Sequence, residues 1–253
     1  LVGMVPLQAM LDAGRYFLEK QNRSTGIPEK EIIKIAVKSL GLDDLAPFDP
    51  KKKIIEYLLA EKLGKSLVEM NLADFADETA SESPAPGGGS ISAYLGALGV
   101  SLGIMVANLS SHKAGWDKRW KEFSDYAGTG MAIQKDLLVM VDEDTRAFSR
   151  VMEALGLPKG SDEEKAARKA AIEAASRYAT EVPLKVMKRA FGAFGMIKAM
   201  AENGNPNSVS DAGVGALCLR SSIMGAFLNV KINAAGLEDR EFASRVLKEG
   251  SDI

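Results

Sequence analysis

The sequence predicts an all-α protein organised around a helical bundle. Three observations carry that prediction. Nearly every segment places apolar residues three and four apart, which is the spacing of one helix face. No segment alternates apolar and polar residues convincingly enough to read as a half-buried strand. One run, SPAPGGGSISAYLGALGVSLGIMVANLSS, passes from Ser83 to Ser111 without a charged side chain, as a central buried helix would.

The elements follow in order. VPLQAMLDAGRYFLEKQ (5–21) opens at Pro6, which suits a first helical turn. EKEIIKIAVKSLGL (29–42) carries Ile32, Ile33, Ile35, Ala36 and Leu40 and stops at Gly41. LAPFDPKKKIIEYLLA (45–60) turns at its prolines and ends in a short helix, and EKLGKS (61–66) is a polar joint that suits a domain boundary. A short amphipathic helix is expected over 67–80. From Trp116 to Leu155 a stripe runs through Trp120, Phe123, Ala127, Gly130, Gln134, Leu137, Val141, Asp144, Phe148 and Val151 in steps of three and four, predicting one long helix. Ser161 and Glu164 form a capping box for the next helix. Pro183 is expected to begin a separate helix over 183–202, which ends at Asn203-Gly204. NGNPNSVS reads as a loop, and helices over 211–236 and 241–250 close the chain.

The uncharged run admits three readings. Its length raises a membrane span, but no aromatic belt or flanking basic cluster marks its ends. GGGS at a helix start offers backbone N–H groups to an anion, yet the nucleotide-loop pattern is absent and no strand precedes it. The favoured reading is a central helix whose glycines permit close approach of another helix or of a planar ligand.

Composition narrows the chemistry. The 253 residues are 46% hydrophobic and 26% charged, which reads as soluble and globular. A net charge of −2 gives no global pull toward nucleic acid or anionic membrane. Cys218 is the only cysteine and His112 the only histidine, so an internal disulfide is ruled out and a zinc site would need unusual ligands. LVGMVPL lacks a basic lead and a cleavage site, so a cytoplasmic location is expected. With no initiator methionine ahead of Leu1, the chain reads as a piece of a longer protein.

Asp144 is the most informative residue. It takes a stripe position between Val141 and Phe148 where an apolar side chain belongs. Burial raises a carboxyl pKa and prepares it to carry a proton near neutrality. The competing role is a structural ion pair with a neighbouring helix. Asp142 lies one position off the stripe and reads as exposed. Asn229 and Asn233 are four apart and share a helix face. Ser210 and Asp211, at a loop-to-helix junction, suit N-capping.

The motifs PAPGGGSISAYLGALGVSLGIMVANLS, VDEDTRAF, EVPL, GNPNSVSDAGVGALC and GAFLNVKIN, in that order over 65–250, resemble the formimidoyltetrahydrofolate cyclodeaminase family. Upstream, LVGMVPLQAMLDAGRYFLEK and LGLDDLAPFDPKKKIIEYLL resemble the tail of the formimidoyltransferase domain that precedes the cyclodeaminase in a bifunctional enzyme. The resemblance implies a mostly helical remnant of an α/β transferase over 1–60, a linker over 61–66 and an all-α cyclodeaminase over 67–253.

It also implies a reaction: 5-formimidoyltetrahydrofolate gives 5,10-methenyltetrahydrofolate and ammonia, within histidine degradation and one-carbon metabolism. The folate itself supplies the attacking nitrogen, so no metal is expected and tetrahydrofolate serves as the substrate's carrier. The family's catalytic aspartate falls on Asp144. Gly87, Gly88, Gly89 and Ser90 are expected to line the folate pocket, with Asn205 and Asp211 reading the pterin. Lys113, with Lys118 or Arg119, could attract a glutamyl tail, possible polyglutamylation included. The expected assembly is a homodimer or larger homo-oligomer, with neither nucleic acid nor membrane as partner. Transferase activity is not expected. A methenyltetrahydrofolate cyclohydrolase and a non-catalytic helical assembly protein are the alternatives.

Overall fold

The computed structural model describes residues 3–60 and 66–253. Most of the proposed linker, residues 61–65, lies outside the described residues. The described residues form helices and turns, and their only β pairing is an isolated parallel bridge between Val5 and Ile54. The all-α expectation therefore holds. The chain divides into two compact units. The first takes Leu1–Lys65, Leu102–Ala132 and Ala199–Ala212, and the second Ser66–Ser101, Ile133–Lys198 and Gly213–Ile253.

In the first unit, α1 (Leu7–Lys20) buries Met10, Leu11 and Leu18, and α2 (Glu29–Ser39) buries Ile32, Ile33, Ala36 and Val37. Gly14 allows the contact between them, because a Cβ there would lie 2.5 Å from Ile32 Cγ2. Helix α2 ends as its sequence predicts. Gly41 adopts φ +65°, Leu42 N–H donates to Val37 O and Gly41 N–H to Lys38 O. That pair of bonds is a Schellman cap, which needs a residue free of a Cβ penalty at positive φ. The short helices α3 (Pro50–Lys53) and α4 (Ile55–Ala60) follow.

The second unit opens with a single 3₁₀ turn over Leu67–Glu69 and then α5 (Leu72–Ala80), so the helix expected over 67–80 is broken at Met70 and Asn71. Asn71 instead caps α5, accepting from Asp74 N–H at 2.9 Å. Helix α6 (Gly88–Ser111) is the uncharged run, and α7 (Trp120–Leu155) is the long stripe, entered through a 3₁₀ turn at Asp117–Arg119. The stripe is buried at Phe123, Ala127, Leu137 and Val141, but Phe148 and Leu155 are 42% and 44% exposed. Ala147 and Ala154 take the inward positions instead. The helical period of 3.6 residues lets a strict three-four stripe drift off the buried face within a few turns.

Helix α8 (Asp162–Gly192) runs straight through Pro183, which corrects the expected helix start there. A proline inside a helix removes the N–H that would bond the carbonyl four residues back. That carbonyl belongs to Ala179, and Asn233 Nδ2 donates to it at 2.7 Å. The orphaned acceptor is satisfied from α10 (Val209–Ala235), so the helix can continue to Gly192 before α9 (Phe194–Asn203). The loop before α10 holds one 3₁₀ turn, Pro206–Ser208. Helix α11 (Arg240–Asp252) closes the chain, capped by Asp239 on Phe242 N–H at 2.9 Å.

Within the second unit, small residues bring α6 and α10 together. A Cβ on Gly99 would lie 2.8 Å from Gly215 O, and one on Gly225 would lie 2.6 Å from Ser92 Oγ. By length and composition α6 and the segment 206–235 could each cross a membrane, although 61% of the apolar window in α6 is buried inside the protein.

Candidate active site

The start of α6 is where the second unit assembles a reactive group. The first N–H groups of a helix have no partner in their own helix, and the aligned peptide dipoles place partial positive charge there. Asp144, from the middle of α7, brings its carboxyl to that end. Ser90 Oγ lies 3.1 Å from Asp144 Oδ2, 2.9 Å from Val141 O and 3.4 Å from Thr145 Oγ1.

The three glycines differ in what they do. A Cβ on Gly89 would overlap the Asp144 carboxyl, 2.5 Å from Cγ and 2.6 Å from Oδ2. On Gly88 it would press on Asn229 Nδ2 at 3.3 Å. On Gly87 it would meet only Pro84 O, at 3.9 Å. Crowding thus requires glycine at 89, tolerates little at 88 and leaves 87 free.

Asp144 is half-buried between the buried Val141 and Ala147. Burial pushes its carboxyl above the ordinary carboxylate value, and hydrogen bonding from the Ser90 side chain and backbone pulls the other way. Burial dominates, so the carboxyl is tuned to hold a proton more tightly than a solvated aspartate. No salt bridge to Asp144 occurs among the described residues, which removes the ion-pair role that its position could have served.

Its neighbours in sequence have other tasks. Asp142 accepts from Ser66 Oγ at 2.5 Å and from Leu67 N–H at 2.7 Å, so it anchors the first 3₁₀ turn rather than standing exposed. Glu143 accepts from Tyr178 Oη at 2.7 Å and lies 3.7 Å from Lys185 Nζ.

Asp144, Gly88, Gly89 and Ser90 therefore meet in one unit, and Asn229 joins them. The sequence marked Asn229 as a polar intruder without placing it in the site. Thr145 carried no sequence signal beyond adjacency to Asp144. Lys113, Asn205 and Asp211 belong to the first unit. There the Lys113 ammonium sits 4.1 Å over the Trp116 ring. Asn205 shapes the turn before α10, accepting from Asn207 N–H at 3.2 Å while its own N–H donates to Ser110 Oγ at 2.8 Å. Asp211 lies half-buried in the first turn of α10.

Fold and site define an all-α helical bundle with one partly desolvated carboxyl at a helix N-terminus. A family model described as formiminotransferase-cyclodeaminase matches residues 71–252, and one described as formiminotransferase domain matches residues 1–60. The chain belongs to the formiminotransferase-cyclodeaminase family. It is 37% identical to formimidoyltransferase-cyclodeaminase from Gallus gallus over 96% of its own length and 45% of that protein. It thus spans about half the length of the curated bifunctional relatives it matches. It is also 41% identical to methenyltetrahydrofolate cyclohydrolase from Methylorubrum extorquens, over 69% of this chain and 84% of that one. The crystal structure of formiminotetrahydrofolate cyclodeaminase from Thermotoga maritima superposes with a TM-score of 0.64 and 27% identity, covering 74% of this chain and 89% of that one.

Proposed function

We propose that the chain is a cyclodeaminase that converts 5-formimidoyltetrahydrofolate to 5,10-methenyltetrahydrofolate and ammonia. The observation that carries this reading is the raised, half-buried Asp144 carboxyl against Gly89 and Ser90. N10 of the folate attacks the formimidoyl carbon on N5 and forms a tetrahedral carbon. The formimidoyl group reacts as its protonated amidinium, so its nitrogen already carries two hydrogens. The Asp144 carboxylate takes the N10 proton and returns it to that nitrogen, which then holds three hydrogens and leaves with the bonding electron pair. The bond from that nitrogen to the carbon then breaks, ammonia leaves and the methenyl bridge remains. A carboxyl that both accepts and donates works best with a pKa displaced toward neutrality, which burial supplies. Asp144→Asn keeps the shape and removes the proton carrier. Ammonia release and methenyl absorbance should both fall by about 10²–10⁴-fold while folate binding persists. Unchanged turnover would sink the assignment.

In the same reading Gly87, Gly88 and Gly89 serve folate binding, residues 1–60 are a transferase remnant, 61–66 a linker and 67–253 the catalytic domain. The enzyme acts in histidine degradation in the cytoplasm, with neither membrane nor nucleic acid as partner. It works as a homodimer. On α10 the large side chains of Val214, Leu217, Met224, Leu228 and Ile232 are all at least half exposed, at helical spacings of three, four and seven. A second copy presents the same stripe and can cover it about a two-fold axis. Leu228→Glu with Ile232→Glu should yield monomers by sedimentation, and a parent chain already monomeric would refute the dimer.

The cyclohydrolase relative, matched over most of its length, supports a second reading. Hydrolysis of methenyltetrahydrofolate without ammonia release from the formimidoyl substrate would favour it.

A further inference from the structure

We infer that Ser90 is a positioning residue for Asp144, holding Oδ2 through both protonation states of the carboxyl, and is not a substrate contact. This rests on the cyclodeaminase reading and deepens it. The Ser90 side chain is fully buried, at 0% exposure, so it offers no surface to a ligand. Among the described residues, the hydrogen-bond partners of its hydroxyl lie on α7: Val141 O at 2.9 Å, Asp144 Oδ2 at 3.1 Å and Thr145 Oγ1 at 3.4 Å.

A serine hydroxyl has one proton to give and can accept as well. While Asp144 is ionised, the charged oxygen is the stronger acceptor and takes the Ser90 proton. The Val141 carbonyl sits inside a continuous helix, where the main chain provides its own donor. Once Asp144 gains a proton, its O–H can donate to Ser90 Oγ, and the Ser90 proton turns onto Val141 O. Thr145 Oγ1 is close enough to join either arrangement. The heavy atoms stay where they are in both states, so proton exchange at the site needs no reorganisation.

The neighbouring charged side chains of α7 are engaged elsewhere. Helix α6 carries no charged side chain. On α7, Asp142 is bonded to Ser66 and Leu67, and Glu143 faces Tyr178 and Lys185. From α10 the neighbour is the neutral Asn229, beside Gly88.

The test is Ser90→Ala, read first by carbon NMR titration of the Asp144 carboxyl in the resting protein. Loss of the donor destabilises the ionised form. The midpoint should rise by about one pH unit, a tenfold change in the ionisation constant. The acid limb of kcat/KM should move the same way. At neutral pH kcat should fall about tenfold while KM shifts by less than about twofold, because only proton exchange is touched. Ser90→Cys, a weaker donor, should give a smaller rise, and it provides the reading if the alanine variant does not fold. An unmoved midpoint overturns the inference. So does a raised KM with kcat and midpoint unchanged, which would make Ser90 a substrate contact. The midpoint is measured without turnover. A shifted midpoint in a chain that releases no ammonia would therefore refute the cyclodeaminase reading and leave the Ser90 role intact.

Discussion

Gly89→Ala is predicted to disable turnover while leaving the chain folded. The added Cβ would stand 2.5 Å from Asp144 Cγ and 2.6 Å from Oδ2. Comfortable carbon contacts begin near about 3.5 Å, so the carboxyl must retreat by about 1 Å. It is the free end of a side chain with two rotatable bonds, and it can swing aside without moving either helix. For stability, alanine in place of glycine in a helix gains about 1 kcal/mol, against an overpacking cost of about 1–3 kcal/mol. The net change is at most about 2 kcal/mol of destabilisation, which lowers Tm by about 4–8 °C in a chain of this size. For chemistry, a misplacement of about 1 Å costs about 10²-fold in rate. The assay follows methenyl absorbance and ammonia release, with Tm recorded on the same samples. Gly87→Ala is the control, since its Cβ would meet only Pro84 O at 3.9 Å. A Gly89→Ala enzyme at the parent rate, or a Gly87→Ala enzyme equally impaired, would refute the claim that close approach at residue 89 positions the carboxyl.

Two further outcomes concern stability. Because burial raises the Asp144 pKa, the folded state binds this proton more tightly than the unfolded state. The resulting stabilisation is present in acid, below the ordinary carboxylate value, and is lost as pH rises through the raised folded value. Asp144→Asn should therefore raise Tm at about pH 8 and do so less at about pH 4; equal gains at both would contradict the sign. Asn233→Leu should destabilise by about 1–3 kcal/mol in urea unfolding, because it strips the Ala179 carbonyl of the amide donor that replaces the missing backbone N–H. Adding Pro183→Ala restores a backbone N–H to that carbonyl and should recover part of the loss, and strict additivity of the two changes would count against the coupling.

The helices were legible because their faces repeat at 3.6 residues, and Asp144 was legible because a carboxyl broke that repeat. The glycine turn could be linked to it only through the family resemblance. Spacing alone gives no sign that Gly89 rather than Gly87 abuts the carboxyl, since that depends on how α6 and α7 approach. The failed helix start at Pro183 has the same origin. Proline's local preference was overruled by a side-chain amide 54 residues away, contributed by Asn233. Asn229 and Asn233 were recognised as sharing a face, yet one borders Gly88 and the other repairs α8, a division that only their packing partners decide. Asp142 looked exposed because its partners, Ser66 and Leu67, lie 76 and 75 residues upstream.

Three consecutive acids on α7 face three different neighbours. Successive residues on a helix diverge by about 100°, so none can deputise for the next. Asp142 fastens the chain entering at Ser66, Glu143 meets Tyr178, and Asp144 reaches Ser90. A single-residue insertion or deletion upstream in α7 would rotate all three at once, undoing the anchor at Ser66 and the contact with Ser90 together. The reading frame of this helix turn is therefore pinned at three points, and length variation here should be far less tolerated than substitution.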